Sequence, residues 1–202
     1  MLKTDLPAYA SDRIERAELT DIYMIGRRGP AEASFTPVEL RELGEMQDTV
    51  ALVNAADLPE YIHATDPKDQ KLKEKILEIL RGYAKNDPAS KKRRLHIMFY
   101  AAPAEVRGEN GKVASLVLDR TQVTNGKAMM TGEQTTLAVG AVVTAIGYLA
   151  KPMEGVTMHA RSSCYPNHEG KIDEGLWAVG WAKRGPSGVV ATRRVVMLAL
   201  SV

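Results

Sequence analysis

Short unbroken apolar runs alternate along this chain with longer stretches of helical spacing. Residues 22–25 (IYMI) form a continuous apolar run that predicts a buried parallel strand. Residues 50–53 (VALV) and 95–101 (LHIMFYA) predict two more strands. Between the first two, Thr36 is placed as N-cap, Pro37 as the first helical residue and Glu39 as the third. That is a capping box with proline at its favoured position. Phe35 and Leu40 have hydrophobic-staple spacing, and the helix should end near Gly44. A second helix opens at Asp66-Pro67, with Leu72, Ile76, Ile79, Leu80 and Tyr83 forming one apolar stripe.

After Arg94 the period changes. Asn110-Gly111 and Asn125-Gly126 are hairpin turn signals, so residues 113–123 and 128–137 predict antiparallel strands. Residues 139–146 (VGAVVTAI) predict another buried strand, and residues 177–179 a last short one. Gly185-Pro186-Ser187-Gly188 precedes an apolar helix. The order is β-α-β-α-β with a β-meander inserted before a final strand. The expected fold class is α/β: a parallel-sheet, Rossmann-like dinucleotide-binding domain over residues 1–147, and a tail over 148–202 that belongs to something else.

Composition narrows the class. The chain has 202 residues, 45% hydrophobic and 26% charged, which excludes collagen-like, disordered and disulfide-rich proteins. The single cysteine, Cys164, can form neither an internal disulfide nor a multi-cysteine metal site. A reducing, cytoplasmic setting and no bound metal are therefore expected. No apolar run reaches the roughly 18 residues of a spanning helix, and the first residues lack the apolar core of a secretory signal. The net charge of +2 gives no reason to invoke nucleic acid. Charge is uneven, however. Residues 68–94 hold ten bases and four acids, a local +6 that suits an acidic partner or a solvated helix face.

Arg27 and Arg28 follow the first strand, between Gly26 and Gly29. In open α/β sheets ligands bind at the carboxyl edge, and arginine there accommodates the 2′-phosphate of NADP where an acid would take the ribose of NAD. A planar guanidinium bonds phosphate bidentately. Glu39 has two readings, the capping-box glutamate or a carboxylate facing the nucleotide. The two compete if the carboxylate reaches back to the Thr36 N–H.

The segment GRRGPAEASFTPVELRELGEM (26–46) closely resembles the nucleotide-binding segment of adrenodoxin-reductase-type ferredoxin–NADP reductases. GLWAVGWAKRGPSGVVATRR (175–194) resembles the flavin-contacting motif of the same family, and LRGYAKNDP, VVTAIGY and PNHEGKI lie in matching order between them. The resemblance implies FAD and NADP as cofactors. It implies hydride transfer from NADPH to FAD, then single-electron delivery to an acidic ferredoxin-type carrier. It assigns the 2′-phosphate to Arg27 and Arg28, the nicotinamide–ribose side to Glu39, and the flavin and nicotinamide neighbourhood to Trp181. Gly188, Val189 and Val190 match the helix start whose backbone approaches the flavin, where exposed N–H groups stabilise negative charge.

Both glycine-rich dinucleotide fingerprints of the family are missing. The chain accordingly resembles a carboxyl-terminal fragment: an NADP domain without its first βα unit, plus a remnant of the FAD domain. Its end, VVMLALSV, also departs from the family pattern. The isolated chain is expected to bind NADP weakly, retain little FAD and lack reductase activity. The competing expectation is a non-catalytic NADP-binding or assembly module that self-associates through exposed edges.

Overall fold

The computed structural model describes residues 5–64, 66–146, 151–159 and 164–185. The chain divides into two compact units, Met1–Val142 and Val143–Val202.

The first unit runs α1 (Ala8–Arg16), β1 (Asp21–Ile25), α2 (Pro37–Gly44), β2 (Thr49–Val53), a single 3-10 turn (Ala55–Asp57), α3 (Pro67–Tyr83) and β3 (Arg93–Met98). Strands β1 and β2 both pair with β3 in parallel, so the sheet order is β1-β3-β2. The α2 start is the expected capping box, with Pro37 opening the helix. Asp66 caps α3 by accepting from the N–H groups of Lys68 and Asp69.

One face of the parallel sheet carries the core. Ala51, Val53, Leu95 and Ile97 pack with Leu40 of α2 and with Ile76, Leu80 and Tyr83 of α3. The α3 stripe differs from the expected one at its first member. Leu72 is 41% exposed, whereas Leu77 is buried. The buried residues of α3 begin only at Ile76. Strand β1 is an edge strand rather than a fully buried one. Ile22 and Met24 stand opposite Leu95 and Ile97 in register yet remain 40% and 37% exposed. The other face holds a polar network: Arg94 bonds Asp21 through Nε and Nη2, both at 2.6 Å, and His96 Nε2 lies 2.7 Å from Asp21 Oδ1. The rings of Tyr23 and His96 stack.

The 95–101 run is two strands, not one. β3 ends at Met98 and β4 (Ala101–Glu109) begins after a break at Phe99-Tyr100, where Tyr100 adopts φ 53°. The break redirects the chain from the parallel sheet into an antiparallel one. There β5 (Lys112–Thr124) pairs with β4 and with β6 (Lys127–Ala138). The connecting Asn110-Gly111 and Asn125-Gly126 pairs all have positive φ, the backbone of type I′ turns. Ala101, Leu116 and Leu118 form a second small core with Ile25 and Met98 at the carboxyl ends of β1 and β3.

Residues 139–146 do not form the expected buried strand. The β6 ladder closes with the Val139 N–H on Ala114, and beyond it Val143 and Ile146 are 87% and 93% exposed. No described strand supplies hydrogen-bond partners there, so an apolar run alone cannot become a strand.

In the second unit, β7 (Lys171–Asp173) and β8 (Leu176–Trp177) form a small hairpin that leads into α4 (Gly180–Arg184). Asn167 ties this unit together, donating to the carbonyls of Tyr165 and Lys183 and accepting from the Gly170 N–H. Among the described residues no helix is long and apolar enough to cross a membrane.

Candidate functional site

The carboxyl end of β1 is bound on both sides. The Gly26 N–H donates to Met98 (2.9 Å), and its carbonyl accepts from the Ala101 N–H (3.1 Å). The Arg28 carbonyl accepts from the Tyr100 N–H (3.1 Å), and the Arg27 carbonyl from the Thr121 hydroxyl (2.8 Å). The Gly29 N–H donates to the Glu32 carboxylate at 3.1 Å. Gly29 is buried, and the Tyr100 ring lies where any side chain at Gly29 would go. The backbone of residues 26–29 is thus fixed while the Arg27 and Arg28 side chains are exposed. Neither arginine has an ion pair among the described residues. Two adjacent guanidiniums on a fixed loop are a fitting donor set for a dianionic phosphate.

Around the loop, the Arg120 guanidinium sits 5.5 Å from the Tyr100 ring centroid and donates to buried Asp57 at 2.6 Å. Its charge is therefore already matched. Burial, ahead of the nearby Glu32 and Asp57 charges, raises the pKa of the Tyr100 hydroxyl. Tyr100 and Arg120 also line a cavity of about 550 Å³, with Tyr23, His96, Asn54 and Asp57. Arg27 and Arg28 do not line it.

Glu39 is engaged in its cap. Its Oε2 accepts from the Thr36 N–H (2.8 Å) and hydroxyl (2.9 Å), and its own N–H donates to the Thr36 hydroxyl (3.2 Å). These bonds to Thr36 lower the carboxyl pKa, the backbone one most. The capping geometry is formed in full, and the carboxylate remains at the surface.

In the second unit Trp181 lies in the first turn of α4 and is 43% exposed. Its carbonyl accepts from the Gly185 N–H, and the Cys164 thiol lies 3.8 Å from it. Gly188, Val189 and Val190 lie outside the described residues. At the end of α4, the Nε and one Nη of Arg184 are buried without a hydrogen-bond partner among the described residues. Unmatched donors of this kind suit an anionic or carbonyl-rich ligand.

The sequence brought Arg27 and Arg28 forward but missed what holds them. Glu32 follows Gly29 at i+3 and was legible as a local turn partner. Tyr100 was hidden inside an apolar run, and Thr121 lies 94 residues from Arg27. Arg184 carried no separate sequence signal.

A scan of protein-family models finds no match. Among curated proteins the chain is 31% identical over 201 residues to NADPH-ferredoxin reductase FprA of Mycobacterium tuberculosis, covering 96% of this chain and 44% of that protein. It is 29% identical over 218 residues to the mitochondrial NADPH:adrenodoxin oxidoreductase of Arabidopsis thaliana, covering 95% and 45%. Among solved structures it superposes on a point mutant of FprA from Mycobacterium tuberculosis with a TM-score of 0.86 and 32% identity, covering 96% of this chain and 44% of that one. It also superposes on FprA in complex with NADPH with a TM-score of 0.78 and 33% identity, covering 87% and 40%. The chain thus spans less than half the length of the relatives it matches.

Proposed function

Because the chain belongs with the NADPH-ferredoxin and NADPH:adrenodoxin reductases, matched over nearly its whole length, we propose that it forms the NADP-selecting part of a flavoprotein oxidoreductase. The activity passes a hydride from NADPH to FAD and then single electrons to a ferredoxin-type iron–sulfur protein, in the cytoplasm. FAD, when bound, supplies the hydride-accepting and one-electron chemistry.

The observation that carries this reading is the fixed loop at the carboxyl edge of β1 with two exposed guanidiniums. Arg27 and Arg28 clamp the 2′-phosphate from both sides. Glu39 keeps one carboxylate oxygen in its cap with Thr36, and only its other oxygen is left for the nicotinamide–ribose end. Trp181, exposed in the first turn of α4, would lie beside the flavin and nicotinamide, as the family resemblance implies. The family resemblance assigns Gly188, Val189 and Val190 to the flavin side, and Arg184, close to them in sequence, holds two buried donors. In domain terms, residues 1–147 serve NADP and residues 148–202 serve FAD.

The partner is an acidic carrier. Lys68, Lys71, Lys75, Lys85 and Lys92 are exposed and supply a basic face. Lys91, by contrast, is spent internally, donating to the Met46 carbonyl at 2.5 Å. The chain alone lacks a glycine-rich phosphate cradle, so its NADP affinity is weak and its reductase activity absent.

Titration with 2′-phospho-AMP against AMP tests the clamp. Preference for the phosphorylated nucleotide, lost in Arg27→Ala and Arg28→Ala, is the expected result, and equal affinities in the unaltered chain would defeat it. The half-exposed β1 edge favours a second reading, a non-catalytic module that self-associates. Concentration-dependent dimerisation in sedimentation would select that reading, and a chain that stays monomeric while preferring 2′-phospho-AMP selects the first.

A further inference from the structure

Two residues hold the arginine loop through contacts outside the loop itself, and neither bears a charge. Thr121 is 4% exposed and bridges two carbonyl groups of the junction: its hydroxyl donates to the Arg27 carbonyl at 2.8 Å and its N–H to the Tyr100 carbonyl at 2.8 Å. Tyr100 sits in the left-handed region at φ 53°, where a bulky residue is unfavourable. Its N–H donates to the Arg28 carbonyl, and its ring closes over Gly29. Such backbone persists only where its surroundings over-determine it. Three of these contacts end on residues 27–29, and the fourth, from the Thr121 N–H, holds Tyr100 itself in place.

We infer that Tyr100 and Thr121 are positioning residues that set the preference of the Arg27–Arg28 pair for a 2′-phosphate. This rests on the reading of that pair as the 2′-phosphate clamp. A dianion is held best when both guanidiniums converge on it, and long exposed side chains lose much rotamer freedom in doing so. Fixing the two carbonyls, and hence the two side-chain origins, removes backbone freedom from that cost before the ligand arrives. AMP lacks the 2′-phosphate and gains nothing from convergence of the pair. The effect therefore falls on the ratio of the two affinities.

The test is binding of 2′-phospho-AMP and AMP to the whole chain, followed by NMR or calorimetry, with circular dichroism as the check on folding. Thr121→Val removes the hydroxyl and keeps the shape. Tyr100→Asn removes the ring but tolerates the left-handed backbone. Thr121→Val lowers the preference for 2′-phospho-AMP by roughly three- to tenfold, about the worth of one hydrogen bond, and Tyr100→Asn, which keeps the backbone bond to Arg28 but uncovers Gly29, lowers it in the same direction, with AMP affinity unchanged in both. Thr121→Ser restores the preference. A preference that survives in both folded variants, or an equal fall in both affinities, overturns the inference while leaving the clamp standing. An unaltered chain with no preference removes the clamp and the inference together. If Thr121→Val does not fold, Tyr100→Asn decides alone.

Discussion

The hydroxyl of Tyr83, at the end of α3, donates to the carbonyl of Leu40 in α2, and its ring fills the space a side chain at Gly44 would take. One side chain thereby satisfies a carbonyl of α2 and fixes the spacing of two helices against the sheet. Burial is the main cause of the raised Tyr83 pKa, as expected of a phenol held inside the core. Tyr83→Phe leaves the Leu40 carbonyl without this donor and should cost about 1–2 kcal/mol. Gly44→Ala places a methyl group 2.7 Å from the Tyr83 oxygen and 3.0 Å from a ring carbon, and overpacking of this kind costs roughly 1–3 kcal/mol. Urea titration should show lower midpoints with unchanged slopes. Unchanged midpoints in both variants would mean that the contact contributes nothing.

Asp21 should make stability depend on acid. Arg94 first, and His96 second, hold its carboxyl well below the usual carboxylate range. A group depressed on folding contributes fully above its unfolded value of about 4 and loses that contribution as pH falls toward the folded value. Asp21→Asn should lower stability at neutral pH by about 1–2 kcal/mol and flatten the acid limb of the unfolding profile. Parallel acid limbs in the two proteins would show that the network does not carry this linkage.

Local signals were legible where they were self-contained. The Thr36–Pro37–Glu39 cap, the Asp66 cap and both Asn-Gly turns each specify backbone geometry within four residues, and each formed as expected. The parallel sheet followed from apolar runs alternating with helices. What the sequence could not disclose depends on partners far along the chain. The 95–101 run reads as one strand because nothing in LHIMFYA marks Tyr100 as a corner. The corner exists because Arg28 and Thr121 hydrogen-bond to its backbone. The 139–146 run shows the converse: its residues suit a strand, yet no described strand lies beside it to complete the ladder. At the site, the paired arginines were visible as residues, but the fixed loop that makes them a clamp was not.

Glu39 can be separated into its two roles by one substitution. Gln satisfies a capping box as Glu does, but carries no charge. Glu39→Gln should therefore keep the stability of the chain within about 0.5 kcal/mol, while Thr36→Ala costs about 1 kcal/mol. If the carboxylate also serves the nicotinamide–ribose end of the site, Glu39→Gln changes NADP affinity and leaves that of 2′-phospho-AMP alone, because the latter lacks that end. Identical NADP binding in the two proteins would leave Glu39 with the cap as its only role.

The basic face can be tested without disturbing the fold, provided that Lys91 is left in place. Lys71, Lys75 and Lys92 are exposed, so converting all three to Gln changes charge more than packing. Exposed charge pairs are worth about 0.2–1 kcal/mol each, so the triple variant should bind an acidic ferredoxin-type protein on the order of tenfold more weakly at low salt. The deficit should shrink as salt rises, since screening removes the same interaction from the unaltered chain. Lys91→Gln should behave differently: it breaks the tie to the Met46 carbonyl and lowers the unfolding midpoint. A triple variant that matches the unaltered chain in affinity and salt slope would reduce the +6 segment to a solvated surface.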